Sequence, residues 1–120
     1  MDSSSDRLNA ILREILDFRE RRDWKQFHNP KNLAVSISLE SNELLEHFQW
    51  KNMEESLTYL KQNKEKLSEE AADILVYLLY FCNDAEIDLL QAVEDKIEKN
   101  NKKYPVEKSK GKSTKYTELN

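Results

Sequence analysis

Two pairs of acidic residues with helical spacing are the part of the sequence best suited to chemistry. Glu40 and Glu43 stand three positions apart in "SLESNELLEHFQW", and Glu70 and Asp73 stand three apart in "SEEAADILVYLLYF". Residues three apart share a face of an α-helix, so two antiparallel neighbouring helices would bring the four carboxylates together. Carboxylates that close raise one another's pKa values, and a hard cation such as Mg²⁺ relieves the repulsion. The spacing predicts a metal site.

Asp73 is the informative member because it precedes eight uncharged residues, 74–81. On a buried face an aspartate must be paired, protonated or bound to a metal. We expect Asp73 to be enclosed, since its helix has little polar surface to spare. The alternative is that all four carboxylates lie on solvated faces. Tyr77, one turn after Asp73, either directs its hydroxyl into the same space or only packs.

A di-iron centre of the four-helix type does not fit this pattern. Such centres take Glu-x-x-His pairs from two helices. His47 follows Glu43 by four positions, and the helix that carries Asp73 has no histidine.

A bundle of helices must position these residues. Asn29 and Pro30 are a typical cap and first residue of a helix, and Asp88 with Gln91 resembles a capping box. Residues 51–66 are weakly apolar and predict a linker with a short helical piece. The third helix is apolar on nearly every side, so it should be central. The four main predicted helices cover residues 3–24, 30–50, 67–82 and 88–103.

Composition limits the class of protein. The chain has 120 residues, one glycine and a net charge of −4, so we expect an all-α domain over 1–104 followed by a polar tail, 105–120. The missing glycines exclude Gly-rich phosphate loops, and the charge argues against binding nucleic acid. No stretch is apolar enough for a membrane span, and "MDSSSD" lacks the features of a signal peptide. We expect a cytoplasmic protein with Cys82 in its core.

Three segments resemble the MazG-like, all-α nucleoside triphosphate pyrophosphohydrolases, and most closely their dCTP pyrophosphatase branch. They are "RDWKQFHNPKNLAVSISLESNELLEHFQW", "SEEAADILVYLL" and "IDLLQAVEDKIEKNNKKYP", with a further match in "KYTEL". The resemblance implies Mg²⁺-dependent cleavage, or Mn²⁺-dependent cleavage, of a (d)NTP between its α and β phosphates, giving the monophosphate and pyrophosphate. It also implies a four-helix MazG-like bundle assembled as a dimer or a dimer of dimers, with sites completed across subunits.

The resemblance also assigns roles to residues. The four carboxylates would hold the metal, and one of the glutamates, or a metal-bound hydroxide that it helps to generate, would supply the attacking water. Lysine at position 103 replaces the family's usual arginine, which keeps the charge but loses the planar fork. Lysines at a helix end also suit the helix dipole without any other role. The residues implied to bind substrate are Trp24, Phe27, His28, Lys31, Trp50, Tyr77, Lys96, Asn100, Lys103 and Tyr104.

Two functions of different classes follow. The first is a homo-oligomeric pyrophosphatase that removes dCTP or modified dCTP, in which Trp24 and Trp50 stack on the base. The alternative for both indoles is a place in the core or in an interface. The second function is a non-catalytic helical interaction module whose acidic face docks a basic partner. The acidic pair beside an apolar stretch favours the enzyme, because a docking surface has no need to bury Asp73.

Overall fold

The computed structural model describes residues 3–113 and 115–118, and none of these residues lies in a strand. The prediction of an all-α protein is therefore confirmed for the described part of the chain. Met1, Asp2, Thr114, Leu119 and Asn120 lie outside it, which includes three residues of the predicted tail and the last residue of "KYTEL". The α-helices are α1 Ser3–Arg21, α2 Pro30–Glu46, α3 Met53–Gln62, α4 Lys64–Asp84, α5 Leu89–Lys103 and α6 Val106–Ser109, with 3₁₀ turns at Lys25–Phe27 and Tyr116–Glu118.

Polar side chains start the helices where the sequence predicts. Asn29 Oδ1 accepts a hydrogen bond from the Asn32 amide at 2.8 Å, and Pro30 occupies the first turn of α2. Asp88 Oδ1 accepts from the Gln91 amide at 3.1 Å. The second half of the predicted capping box is missing, because the Gln91 side chain donates to Asp95 at 3.0 Å instead.

Residues 51–66 are mostly helical, so the prediction of a linker was wrong, whereas the short helical piece predicted within that segment is confirmed. Asn52 and Glu55 form a reciprocal capping box, which satisfies two amides that would otherwise lack partners. The helix that follows, α3, runs for 10 residues, and only Asn63 separates it from α4. The second predicted helix is also too long at its end, because α2 stops at Glu46 and residues 47–50 form turns.

Helix α4 is the central element, as predicted. Among the side chains that the structure describes, five apolar ones are buried: α4 supplies Leu67, Leu79, Tyr80 and Cys82, and α2 supplies Leu33. The most extensive packing of α4 is against α2, with smaller contacts to α1 and α3. These four helices, through Glu86, form one compact unit, and α5 and α6 belong to a second unit that begins at Ile87.

A buried ion pair ties α1 to the end of α4. Arg19 is only 3% exposed, and its two terminal nitrogens each donate to a carboxylate oxygen of Asp84 at 2.8 Å. The same guanidinium lies 4.6 Å from the ring centre of Tyr80, whose hydroxyl donates to the Ile15 carbonyl at 2.6 Å. Hydrogen bonds in this paired geometry are among the strongest available to a buried charge, so this end of the unit is firmly fixed.

Candidate metal centre

Three glutamates from two helices meet on the packed face between α2 and α4. One carboxylate oxygen from each of Glu40, Glu43 and Glu70 lies within 4.8 Å of the others. Glu43 and His47 lie beside Glu70, whereas Glu40 lies nearer Tyr77, so the two helices run antiparallel as the sequence predicts. The spacing of three within α2 places both of its glutamates on this face.

The carboxylates of the cluster repel one another when no cation is bound. Burial raises the pKa of Glu40, and the nearby charges of Glu43, Asp73 and Glu70 raise it further. Burial also raises the pKa of Glu70, together with a hydrogen bond to Glu43 and the Glu43 charge, while His47 acts in the opposite direction. The carboxyl groups of Glu40 and Glu70 are therefore harder to ionise than usual.

The donor set suits a hard divalent cation. Oε2 of Glu40 and Oε2 of Glu70 are enclosed and have no hydrogen-bond partner within the described protein. Buried carboxylate oxygens normally have hydrogen-bond partners. Carboxylate oxygens are also the protein ligands that Mg²⁺ and Mn²⁺ prefer. The residues present therefore fit a cation of this class.

Asp73 differs from the expectation. Its side chain is exposed, so the prediction that α4 encloses it was wrong for this chain, and the enclosed oxygens belong to Glu40 and Glu70. Asp73 is still close enough for its charge to raise the pKa values of Glu40 and Glu70. Asp73 is therefore an exposed neighbour of the trio rather than an enclosed member of it.

Tyr77 and His28 continue the site along α4. The pKa of Tyr77 is raised by burial and then by the charges of Glu40, Asp73 and Glu43, so its hydroxyl lies within electrostatic reach of the carboxylates, which favours the first of the two alternatives for this residue. The His28 ring lies 6.3 Å from the Tyr77 ring and 5.3 Å from the Tyr80 ring. The rings of Tyr77, His28 and Tyr80 therefore form an aromatic group next to the acidic cluster.

Arg19 sets the state of His28. Its NH1 lies 3.3 Å from His28 Nδ1, and because a guanidinium can only donate, Nδ1 must be the acceptor and the ring proton sits on Nε2. Burial lowers the pKa of His28, and the Arg19 charge lowers it further. The imidazole is therefore held neutral with Nε2–H as its donor.

The other residues predicted to bind the base lie on the surface of the first unit. Trp24 is 46% exposed and packs edge-on against Phe18 with ring centres 5.7 Å apart. Phe27 is 61% exposed and Trp50 is 88% exposed. The alternative that both indoles are core residues is therefore wrong. Lys31 is exposed in the first turn of α2.

The other residues implied to bind substrate, Lys96, Asn100, Lys103 and Tyr104, belong to the second unit. Lys96 and Asn100 are exposed along α5, and Tyr104 follows its last residue, Lys103, with its amide donating to the Asn100 carbonyl at 2.8 Å. The ammonium of Lys103 lowers the pKa of Lys96, with smaller effects from desolvation and Lys99. Lysine side chains gathered this closely form a patch suited to an anion.

Sequence reasoning missed two residues beside the carboxylates. His47 Nδ1 lies 2.6 Å from the Tyr59 hydroxyl, and its Nε2 lies 3.9 Å from Glu70 Oε1. Both side chains line a cavity of about 360 Å³ next to the acidic cluster. The spacing of His47 after Glu43 was considered only for iron, and Tyr59 lay in the supposed linker. The other residues that line the cavity are Glu43, Glu46, Lys51 and Glu70.

The chain is similar to known proteins over most of its length. A model of the MazG-like family matches residues 35–119, a range that holds all four predicted carboxylate ligands. Among curated proteins, dCTP pyrophosphatase 1 of Bos taurus is 41% identical over 119 residues, which is 98% of this chain and 70% of that protein. The protein of the same name from Homo sapiens is 38% identical over 114 residues, 93% of this chain and 67% of that one. Among solved structures, a pyrophosphatase from Archaeoglobus fulgidus is 48% identical with a TM-score of 0.77, covering 88% of this chain and 95% of that one.

Proposed function

The chain belongs to the MazG-like family and is a nucleoside triphosphate pyrophosphatase, and we propose that it converts dCTP or a base-modified dCTP to the monophosphate and pyrophosphate. In this proposal Mg²⁺, or Mn²⁺ in its place, binds to Glu40, Glu43, Glu70 and Asp73. The dCTP pyrophosphatase names of the curated relatives support the choice of base.

The observation that carries the proposal is the pair of enclosed, unpartnered oxygens in a trio of glutamates. Oε2 of Glu40 and Oε2 of Glu70 are shielded from water, although solvation is what an acidic docking face would need. That argues against a non-catalytic interaction module. A cation held by Glu40 and Glu70 would satisfy these oxygens and would neutralise charge on the triphosphate.

The residues of the chain have separable tasks in this reaction. A bound cation would supply charge neutralisation of the triphosphate and acidify water. Glu43 is the exposed member of the trio, so we assign to its carboxylate the acceptance of the proton from the attacking water. Tyr77, beside Glu40, orients the part of the substrate that reaches between the carboxylates and His28.

The remaining binding residues follow from their chemistry. We assign Trp24, Phe27, His28 and Trp50 to the base, because aromatic faces stack on bases, and Lys31 to a phosphate at the start of α2. The α5 residues Lys96, Asn100, Lys103 and Tyr104 are assigned to the triphosphate, supported by the close lysines.

A homo-oligomer, either a dimer or a dimer of dimers, is part of the proposal. It is supported by large apolar side chains that the single chain leaves exposed, such as Leu39 at 57%, Leu45 at 53% and Met53 at 79%. Large apolar side chains that are exposed in one chain and lie together mark association surfaces. No helix among the described residues is long and apolar enough to cross a membrane.

The test is pyrophosphate release from the eight common nucleoside triphosphates, with and without Mg²⁺. We expect dCTP to be preferred and the reaction to require the cation. Glu43→Gln and Glu70→Gln should lower kcat by about 100-fold or more, with the helical content unchanged. Asp73→Asn decides whether the exposed fourth carboxylate takes part.

Glu69→Gln is the matched control, because Glu69 is exposed next to Glu70 but lies outside the trio. It should stay within about twofold of the wild type, as expected for a surface substitution. Full turnover by Glu70→Gln would reject the assignment of the site.

A further inference from the structure

A chain of three polar groups runs from α3 to the acidic cluster. The Tyr59 hydroxyl lies 2.6 Å from His47 Nδ1, and His47 Nε2 lies 3.9 Å from Glu70 Oε1. Tyr59 lies on α3, His47 is the residue directly after α2, and Glu70 lies on α4. The contact therefore joins three helices at one edge of the carboxylate trio.

The chemistry of the contacts selects one arrangement of protons. If Nδ1 carried the ring proton, Nε2 would present a lone pair to a carboxylate oxygen, and the two would repel. If the Tyr59 hydroxyl donates to Nδ1, the ring proton sits on Nε2 and is directed at Glu70 Oε1. The second arrangement is favoured because it places an N–H, rather than a lone pair, on the side of the carboxylate.

The surroundings hold this arrangement in place. Lys51 Nζ donates to the His47 carbonyl at 2.6 Å and lies 4.3 Å from the centre of the Tyr59 ring. The Phe48 ring packs edge-on against the Tyr59 ring with centres 5.7 Å apart. Both the ring of Tyr59 and the backbone of His47 are thus fixed, so the hydroxyl can orient the imidazole.

Glu70 is left with two different oxygens. Oε1 lies 3.9 Å from Nε2 of His47, whereas Oε2 is enclosed without a hydrogen-bond partner in the described protein. We propose that Tyr59 and His47 are positioning residues that hold Glu70 in the orientation in which it binds the catalytic cation. This inference rests on the proposed function, because it assumes that the glutamates hold a metal.

The experiment measures binding of Mn²⁺ without nucleotide, by the loss of the free-ion electron paramagnetic resonance signal. Tyr59→Phe removes one hydroxyl, and His47→Leu removes the imidazole. Each should weaken Mn²⁺ binding by about 10-fold or more, the usual cost of losing a partner of a metal ligand. His47→Gln, which keeps an N–H donor, should retain more affinity than His47→Leu. Saturating Mg²⁺ should restore most of kcat in Tyr59→Phe without a change in the KM for dCTP.

Two controls separate positioning from a general weakening of the fold. Asn63→Ala removes a 3.0 Å hydrogen bond to the Tyr59 carbonyl and so disturbs the junction of α3 and α4 without touching the imidazole; it should bind Mn²⁺ like the wild type. The double variant Tyr59→Phe/His47→Leu should bind no more weakly than His47→Leu, since Tyr59 acts through His47.

The outcomes distinguish this inference from the proposed function. Equal Mn²⁺ affinity in the wild type and Tyr59→Phe would overturn the inference alone, as would an equal loss in Asn63→Ala. Absence of Mn²⁺ binding by the wild type would overturn the inference and the proposed function together.

Discussion

Replacing Glu40 by glutamine should change stability in opposite directions with and without metal. Oxygens of Glu40 and Glu43 lie within 4.8 Å of each other. Two charges about 5 Å apart repel by about 1 kcal/mol in bulk water and about 3 kcal/mol at an effective dielectric constant of 20. Because Glu40 is partly buried and Glu43 exposed, we expect Glu40→Gln to stabilise the metal-free protein by about 1–2 kcal/mol, within that range.

Bound metal should make the wild type more stable than Glu40→Gln. A ligand at 100 times its Kd stabilises the native state by about 2.7 kcal/mol, and the wild type gains this amount with Mg²⁺. Glu40→Gln loses a ligand and gains much less, so it becomes the less stable of the two proteins. The assay is urea unfolding followed by helical circular dichroism, with a chelator or with saturating Mg²⁺, at a fixed protein concentration.

The dependence on pH gives a second readout of the same effect. The pKa of Glu40 is raised from its ordinary 4.5, so the native state binds more protons than the unfolded state between the two values. Its contribution to stability is fully present below pH 4.5 and is lost as pH rises through the raised pKa. The difference in stability between Glu40→Gln and the wild type should therefore grow with pH in metal-free buffer.

Glu69→Gln serves as the control here too. It removes one acidic charge, as Glu40→Gln does, but from an exposed residue outside the trio. The reasoning fails if Glu40→Gln is less stable than the wild type without metal. It also fails if Mg²⁺ stabilises both proteins equally.

Three further predictions concern other parts of the chain. Asp84→Asn should lower the free energy of unfolding in urea by about 3–5 kcal/mol, because it leaves the Arg19 charge buried and unpaired. Asp17→Asn, which breaks an exposed ion pair, should lower it by under about 1 kcal/mol. Similar losses in the two variants would contradict the role of burial. The pKa of His28 is lowered from 6.5, so its contribution to stability is lost as pH falls from 6.5 through the lowered value. In His28→Phe the melting temperature should therefore change less with pH over that range. The same pH dependence in the variant and the wild type would contradict this prediction. Trp50 is 88% exposed, so Trp50→Ala should leave the melting temperature unchanged and raise the KM for dCTP about 10-fold, from a stacking loss of about 1–3 kcal/mol; an unchanged KM would exclude it from the base site.

The sequence was sufficient for features that depend on local chemistry. The cap and proline at residues 29 and 30 start α2 where expected, and the spacing of Glu40 and Glu43 puts both on the face that meets α4. The sequence was not sufficient to choose between Glu70 and Asp73. Three residues advance an α-helix by about 300°, so these side chains lie about 60° apart around α4. A modest rotation of α4 against α2 decides which one is enclosed, and that rotation is set by packing rather than by spacing.

The error over residues 51–66 and the omission of His47 have a common origin. Helix α3 has few apolar residues and buries none of them completely. Its Leu57 and Leu60 remain 55% and 42% exposed in the single chain, and a segment this charged is easily taken for a linker. Its start was nevertheless encoded by Asn52 and Glu55, a capping box that a search for such boxes finds. Once α3 is a helix ending one residue before α4, Tyr59 must lie near the beginning of α4, where Glu70 is found. His47 then has a hydroxyl on one side and a carboxylate on the other, which no inspection of α2 alone could reveal.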